Sequence, residues 1–213
     1  MKVREYNAEG ITILYDIRRC IHARECVHGL PKVFDPVQRV WIDATQAGSN
    51  DIATVVQRCP SGALHFLRKD GGAPEAIAES NEIHISADGP LHLRGDLEIH
   101  TRHGVIRETR ATLCRCGASR NKPFCDRSHE RVGFHDPGIL NADSAATEPC
   151  SGPVRVLPQT NGPYWVEGLF VLSDSSGAHG MRCGPRTSLC RCGHSGKKPF
   201  CDGSHTRVGF KDE

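Results

Sequence analysis

The sequence predicts an α+β chain of small, β-rich modules, and three observations carry that reading. Of its 213 residues only 38% are hydrophobic and 6% aromatic, while 22 Gly and 13 Pro interrupt the chain too often for one large core. The C-terminal part repeats itself: LCRCGASRNKPFCDRSHERVGF, beginning at Leu113, returns 76 residues later as LCRCGHSGKKPFCDGSHTRVGF, beginning at Leu189. Apolar residues come in short, partly alternating runs bounded by Gly, Pro, Asn or Asp, the pattern of short strands.

Residues 11–15 read as a strand. SNDIATVVQ at 49–57 has helical spacing behind a Ser/Asn start and stops before Cys59-Pro60. Residues 1–68 share nothing with the repeat and form a domain of their own, followed by a linker at 69–82 that contains Gly71, Gly72 and Pro74. The first repeat then spans 83–148 and the second 149–213, with residues 141–153 as a further linker. GPLHLRG from Gly89 matches GPYWVEG from Gly162 at a spacing of 73, so the repeat unit includes strands ahead of the cysteines and the second copy holds a short insertion. Strands are expected near 82–85, 91–93, 97–101, 154–157, 164–167 and 169–172, each copy forming a small antiparallel sheet that feeds a metal loop. Asp126 and Asp202 are expected to start short helical turns, because Asp is a good N-cap.

Twenty-seven basic against 25 acidic residues leave a formal net charge of +2, without the basic excess that nucleic-acid binding needs. The opening MKVREYNAEG lacks the apolar core of a signal peptide, and no run approaches the roughly 18 apolar residues of a membrane span. The expectation is a soluble, cytoplasmic protein whose partners are neither nucleic acid nor membrane. Thiols stay reduced in that compartment, so clustered Cys among the chain's 11 read as metal ligands rather than disulfides. No nucleophile elbow, phosphate loop or dinucleotide fingerprint occurs, so a substrate-converting enzyme is not expected.

Each repeat offers Cys-x-Cys, a third Cys nine residues on and a His four beyond that: Cys114, Cys116, Cys125 and His129, then Cys190, Cys192, Cys201 and His205. Four soft or borderline ligands in so short a stretch can close around one metal centre. Zinc accepts three Cys and one His, but its ligands usually pair as C-x2-4-C. Cys-x-Cys is tighter and suits two thiolates on one iron, leaving the third Cys and the His for a second iron.

Both stretches resemble the CDGSH iron-sulfur (mitoNEET-like) family, whose pattern is C-x-C-x2-[ST]-x3-P-x-C-D-G-[STA]-H. The second copy matches throughout, at Cys190, Cys192, Ser195, Pro199, Cys201, Asp202, Gly203, Ser204 and His205; the first matches at Cys114, Cys116, Ser119, Pro123, Cys125, Asp126, Ser128 and His129, with Arg127 in place of Gly. Gly permits positive φ and Arg resists it, so Arg127 puts the local backbone in question. The resemblance covers roughly residues 83–213. It implies two [2Fe-2S] clusters with three-Cys-one-His ligation, each repeat being a β-cap with a cluster loop and short helix. It further implies a monomer folded as an intramolecular pseudo-dimer.

Three thiolates and a neutral imidazole around an oxidised core leave a charge of about −1, and about −2 on reduction. Arg115, Arg120, Lys122, Arg191, Lys197 and Lys198 either soften that charge or form a solvated basic surface. Imidazole accepts a proton near physiological pH, so it raises the potential relative to four thiolates and makes it pH-dependent.

Cys20, Cys26 and Cys59 resemble three of the four ligands of single-cluster bacterial ferredoxins, C-x2-C-x2-C with a remote Cys-Pro, with Ala23, which cannot bind iron, at the second position. This implies a divergent ferredoxin-like domain. Three readings stand: a [3Fe-4S] cluster on three Cys; a [4Fe-4S] cluster that recruits His22, His28 or a non-protein ligand; or a ferredoxin-like shell without a cluster. His22 and His28 read first as surface residues, and Cys150 and Cys183 as buried, inert thiols.

The function expected is electron transfer or iron-sulfur cluster transfer, with a redox enzyme or cluster-acceptor protein as partner. A redox- or pH-responsive sensor or cluster store is the alternative, and a zinc-bound interaction module the third reading.

Overall fold

The structure, a computed structural model, describes residues 3–140, 149–177 and 180–212. It divides into two compact units, Met1–Ala76 and Ile77–Glu213. Residues 141–148 of the expected second linker lie outside the described residues.

In the first unit, β1 (Arg4–Asn7), β2 (Ile11–Tyr15) and β3 (Leu64–Arg68) form an antiparallel sheet in that order. Two helices accompany it, α1 (Glu25–Gly29) and α2 (Ser49–Val56). Ile11, Ile13 and Tyr15 bury alternate positions of β2 against Leu64 and Phe66 of β3 and Ile52, Val55 and Val56 of α2. The N-cap of α2 is Gly48, so Ser49 is its first helical residue rather than its cap. The strand expected at 11–15 is present. Strands β1 and β3 and helix α1 were not expected from sequence. LHFLR in β3 carries His and Arg among its apolar residues, and its strand state comes from pairing with β2 from Ile11↔Arg68 to Tyr15↔Leu64.

The second unit holds β4 (Glu82–Ile85), β5 (Leu91–Thr101), β6 (Gly104–Leu113), α3 (Ser128–Arg131), β7 (Val154–Pro158), β8 (Tyr164–Glu167), β9 (Phe170–Ser173), β10 (Gly180–Cys183), β11 (Arg186–Leu189) and α4 (Ser204–Arg207). All eight strands belong to one sheet, which corrects the expectation of a separate antiparallel sheet for each copy. β4 runs parallel to β9 with Ile83 opposite Leu172, and β5 runs parallel to β7 with Ile99 opposite Val156. Each is a pairing of one repeat with the other, and the repeat spacing converts one register into the other. The merger has a hydrophobic cause. Ile83, Ile85, Leu91, Leu93, Leu97 and Ile99 from the first copy share one buried cluster with Val154, Val156, Tyr164, Val166, Phe170 and Leu172 from the second. Neither copy covers so much apolar surface alone.

The segments expected at 91–93 and 97–101 are one strand, with a bulge between Arg94 and Leu97. Gly95 sits there at φ +142°, where a Cβ would fall 2.1 Å from the Asn81 carboxamide oxygen. Asn81 is buried and joins the copies: its side-chain amide donates to the Gly152 and Leu169 carbonyls at 2.7 and 3.1 Å, and its oxygen accepts from Asp96 N–H at 2.9 Å. Strands β6, β10 and β11 were not expected, being rich in Arg, Thr and Glu or interrupted by Gly-Pro.

Candidate iron-sulfur sites

Each repeat's last strand delivers its first cysteine. Leu113 ends β6 and bridges Phe124; Cys114 N–H donates to the Pro123 carbonyl at 2.9 Å, and Cys125 N–H to the Thr112 carbonyl at 2.9 Å. The chain therefore leaves the sheet at Cys114 and returns beside it at Cys125. Ser119 Oγ closes the loop from inside by donating to the Phe124 carbonyl at 2.6 Å. Asp126 accepts from Arg120 N–H at 2.9 Å and from Ser128 N–H at 3.0 Å, tying the loop to the helix that carries His129.

The second copy repeats every one of these contacts. Cys190 N–H donates to Pro199 at 2.7 Å, Cys201 N–H to Ser188 at 3.0 Å and Ser195 Oγ to Phe200 at 2.6 Å. Asp202 accepts from Gly196 N–H at 2.8 Å and Ser204 N–H at 2.9 Å. The non-cysteine residues of the motif thus shape the loop. Asp126 and Asp202 do not cap their helices from the N-cap position as expected. That position falls to Arg127 and Gly203, both left-handed, at φ 66° and 85°. Arg127 takes the conformation of the Gly it replaces and binds Glu130 through two hydrogen bonds of 2.8 Å.

The candidate ligands gather in pairs. Cys114 and Cys116 sulfurs are 3.7 Å apart and Cys190 and Cys192 sulfurs 3.8 Å, while Nδ1 of His129 lies 3.5 Å from Cys125 Sγ and Nδ1 of His205 3.4 Å from Cys201 Sγ. Two ligands on one tetrahedral ion, at about 2.3 Å for sulfur and about 2.0 Å for imidazole nitrogen, stand about 3.8 Å apart for a sulfur pair and about 3.5 Å for sulfur with nitrogen. The donor set therefore fits two metal ions per loop, one on each pair. Among the described residues, no three His, Cys, Asp or Glu side chains close around a single ion.

Backbone N–H groups point at the sulfurs: Ala118 at Cys116 (3.4 Å), Arg127 at Cys125 (3.3 Å), His194 at Cys192 (3.5 Å) and Gly203 at Cys201 (3.4 Å). Burial still opposes ionisation. It pushes the Cys125 thiol up to about 12 and Cys192 to about 11, while the hydrogen bond from Cys114 brings Cys116 down to about 7 and raises Cys114 itself. Buried thiolates this close need positive charge among them, which a metal centre provides. Burial also lowers the His129 pKa, favouring the neutral imidazole that can ligate.

Arg115 and Arg191, set between the paired cysteines, are neither solvated nor turned to the ligands. Arg115 is wholly buried, donating to the Gly89 and Ser86 carbonyls at 2.8 and 2.6 Å and to Asp136, with Phe134 stacked beneath it. Arg191 donates to the Gln159 carbonyl at 2.8 Å and to Asp212 at 2.7 Å. Each locks the end of its repeat onto the turn between its first two strands.

The two loops meet. A Cβ on Gly117 would stand 2.7 Å from the Cys192 carbonyl oxygen, and one on Gly193 2.8 Å from that of Cys116. The cleft they share, about 480 Å³, is lined by both loops together with Val132, Phe134, Val208 and Phe210.

In the first unit, Cys20, Cys26 and Cys59 are all half-buried against one hydrophobic core. Burial, then the charges of Cys59 and Cys20, push Cys26 up to about 11, and Tyr15 is hydrogen-bonded to Cys20, so the fold brings the three together. Ala23, His22 and His28 are exposed, and the loop around Ala23 carries two left-handed residues, His22 and Arg24. Cys150 and Cys183 are buried, as expected; they also lie within electrostatic reach of each other, which the sequence did not reveal.

Family comparison separates the same regions. Residues 88–130 and 161–206 match the model described as iron-binding zinc finger, CDGSH type, and residues 6–69 match that of a divergent 4Fe-4S mono-cluster domain. The chain carries two CDGSH-type iron-binding regions. It is a tandem CDGSH protein with a divergent mono-cluster domain ahead of the two repeats. These matches support iron-sulfur cluster binding. Two proteins are also similar in sequence, the uncharacterized protein YjdI of Escherichia coli K12 and that of Escherichia coli O157:H7. Each is 32% identical over 66 residues, which is 31% of this chain and 87% of the relative. No helix among the described residues of the tandem CDGSH chain is long and apolar enough to cross a membrane.

The residues that sequence reasoning missed lie beside the motifs. Tyr164 Oη donates to the Cys114 carbonyl at 2.9 Å and the Pro123 carbonyl at 3.0 Å; His92, bonded to Thr112 Oγ1 at 2.9 Å, is brought down to about 4 by burial and then by His84 and His129. Aligning the repeats would have flagged both, since Tyr164 stands opposite Leu91 and His92 opposite Trp165.

Proposed function

We propose that this tandem CDGSH chain carries two [2Fe-2S] clusters and serves electron transfer or cluster transfer to a protein acceptor, without a catalytic step of its own. Cys114 with Cys116 and Cys125 with His129 are the ligands of the first cluster, Cys190 with Cys192 and Cys201 with His205 those of the second. The observation that carries this is the division of each ligand set into two metal-spaced pairs. When bound, each cluster supplies a one-electron couple. The protein's own residues hold the loops in shape, aim N–H groups at the sulfurs, and press the two loops together at Gly117 and Gly193. The reciprocal parallel pairing of β4 with β9 and β5 with β7 supports an internal pseudo-dimer, hence a monomer. Cys20, Cys26 and Cys59 are the ligands offered to a third, [3Fe-4S] or [4Fe-4S], cluster.

The test is iron and acid-labile sulfide per chain with a visible spectrum, on protein purified without oxygen. About four irons and four sulfides are expected from the two CDGSH sites, and about seven or eight irons if the first unit is also loaded; zinc without sulfide would overturn the reading.

A further inference from the structure

The two CDGSH sites are built unequally, through residues outside the ligand set. Tyr164, wholly buried on β8, reaches from the second repeat to the first loop and donates to the carbonyls of Cys114 and Pro123. Pro123 also accepts from Cys114 N–H, so a single hydroxyl secures the loop where it leaves the sheet and where it returns. The registers that pair Leu91 with Leu113 and Tyr164 with Leu189 put Leu91 in the matching position. Its side chain has nothing to donate to Cys190 or Pro199.

A second difference lies over the Cys–His pair. Arg127 clasps Glu130 across the turn that carries His129, whereas the second repeat has Gly203 and Thr206 there. Cys125 is 2% exposed and Cys201 is half-buried. At the Cys-x-Cys pair the exposure runs the other way, Cys192 being buried and Cys116 half-buried. The exposures of the two ligand pairs thus differ in opposite directions, so exposure alone sets no order between the sites.

Resting on the proposed cluster binding, we propose that the first site retains its cluster while the second surrenders its own to an acceptor, with Tyr164 as the positioning residue that sets this order. Opening the first loop must strip a donor from buried carbonyls, and among the described residues the second loop has no such side-chain hydrogen bond to break. A buried hydrogen bond of this kind is worth about tenfold in rate.

Anaerobically purified, full-length holoprotein is incubated at one pH with excess iron chelator and iodoacetamide, and alkylation of each cysteine is followed by peptide mass spectrometry. Cys190, Cys192 and Cys201 are expected to become alkylated about tenfold sooner than Cys114, Cys116 and Cys125. Tyr164→Phe keeps the ring's packing; it is expected to raise the first site's rate to that of the second and leave the second unchanged. Simultaneous release, earlier release from the first site, or a Tyr164→Phe variant that leaves the order intact or speeds both sites equally would overturn the proposal. Sulfide measured before chelation separates this from failure of the cluster reading: protein without sulfide fails there, whereas loaded protein with equal release fails only here.

Discussion

Replacing Gly117 by Ala puts a methyl group where the two cluster loops meet. Gly117 holds φ +79°, and its Cβ would stand 2.7 Å from the Cys192 carbonyl oxygen and 3.0 Å from the carbonyl carbon, backbone atoms that cannot swing aside. Overpacking of this kind costs about 1–3 kcal/mol. A left-handed Ala adds about 1–2 kcal/mol. Stiffening of the unfolded chain returns about 0.5–1 kcal/mol, for a net loss of about 1–4.5 kcal/mol. Gly203→Ala is the control: φ is +85° but nothing lies within 4 Å of the new Cβ, so only the backbone contribution remains, about 0–1 kcal/mol after the unfolded-state gain. Arg127 already adopts this conformation at the same place in the first repeat. Thermal unfolding of both variants, followed by circular dichroism and by cluster absorbance, should put Gly117→Ala about 4–12 °C below Gly203→Ala. Gly193→Ala should behave like Gly117→Ala, because its Cβ meets the Cys116 carbonyl at 2.8 Å. Equal melting of Gly117→Ala and Gly203→Ala would refute the packing of loop against loop.

His205→Cys should keep its cluster, lower the potential and flatten its pH response; protein-film voltammetry showing an unchanged pH slope would reject His205 as the titrating ligand. Arg115→Met leaves Asp136 without its buried partner and takes the guanidinium donors from the Gly89 and Ser86 carbonyls, the latter keeping only the Gly89 N–H at 3.3 Å, which should lower stability by about 3–5 kcal/mol in a urea titration. His92 has a folded pKa of about 4, below its unfolded value of about 6.5, so the unfolded chain takes up the proton first and stability falls as pH drops through that window. His92→Gln should remove up to about 3 kcal/mol of this acid sensitivity, read from melts at pH 7 and pH 4.5; an unchanged slope would place the sensitivity elsewhere.

The motif chemistry was legible because it is local. Cys114 to His129 and Cys190 to His205 lie within single loops, and the Ser, Pro and Asp that shape those loops are spaced by short-range hydrogen bonds that sequence distance dictates. Strands β4, β7 and β8 were legible for the same reason, their alternation marking a buried face. Strands β6, β10 and β11 were not: Arg, Thr and Glu hold strand geometry there only because β5, β8 and β9 offer an edge to pair with.

By itself, then, the sequence determined which side chains can ligate metal, their spacing, and the duplication that yields two such sites. The tertiary structure alone decided that the copies share one sheet, that Arg115 and Arg191 are buried anchors, that Gly117 and Gly193 bring the loops into contact, and that Tyr164 crosses from one repeat to the other's loop. All four relations join residues distant in the chain. The three that join one copy to the other arise because each copy's apolar face is too small to be buried alone and is covered by its counterpart.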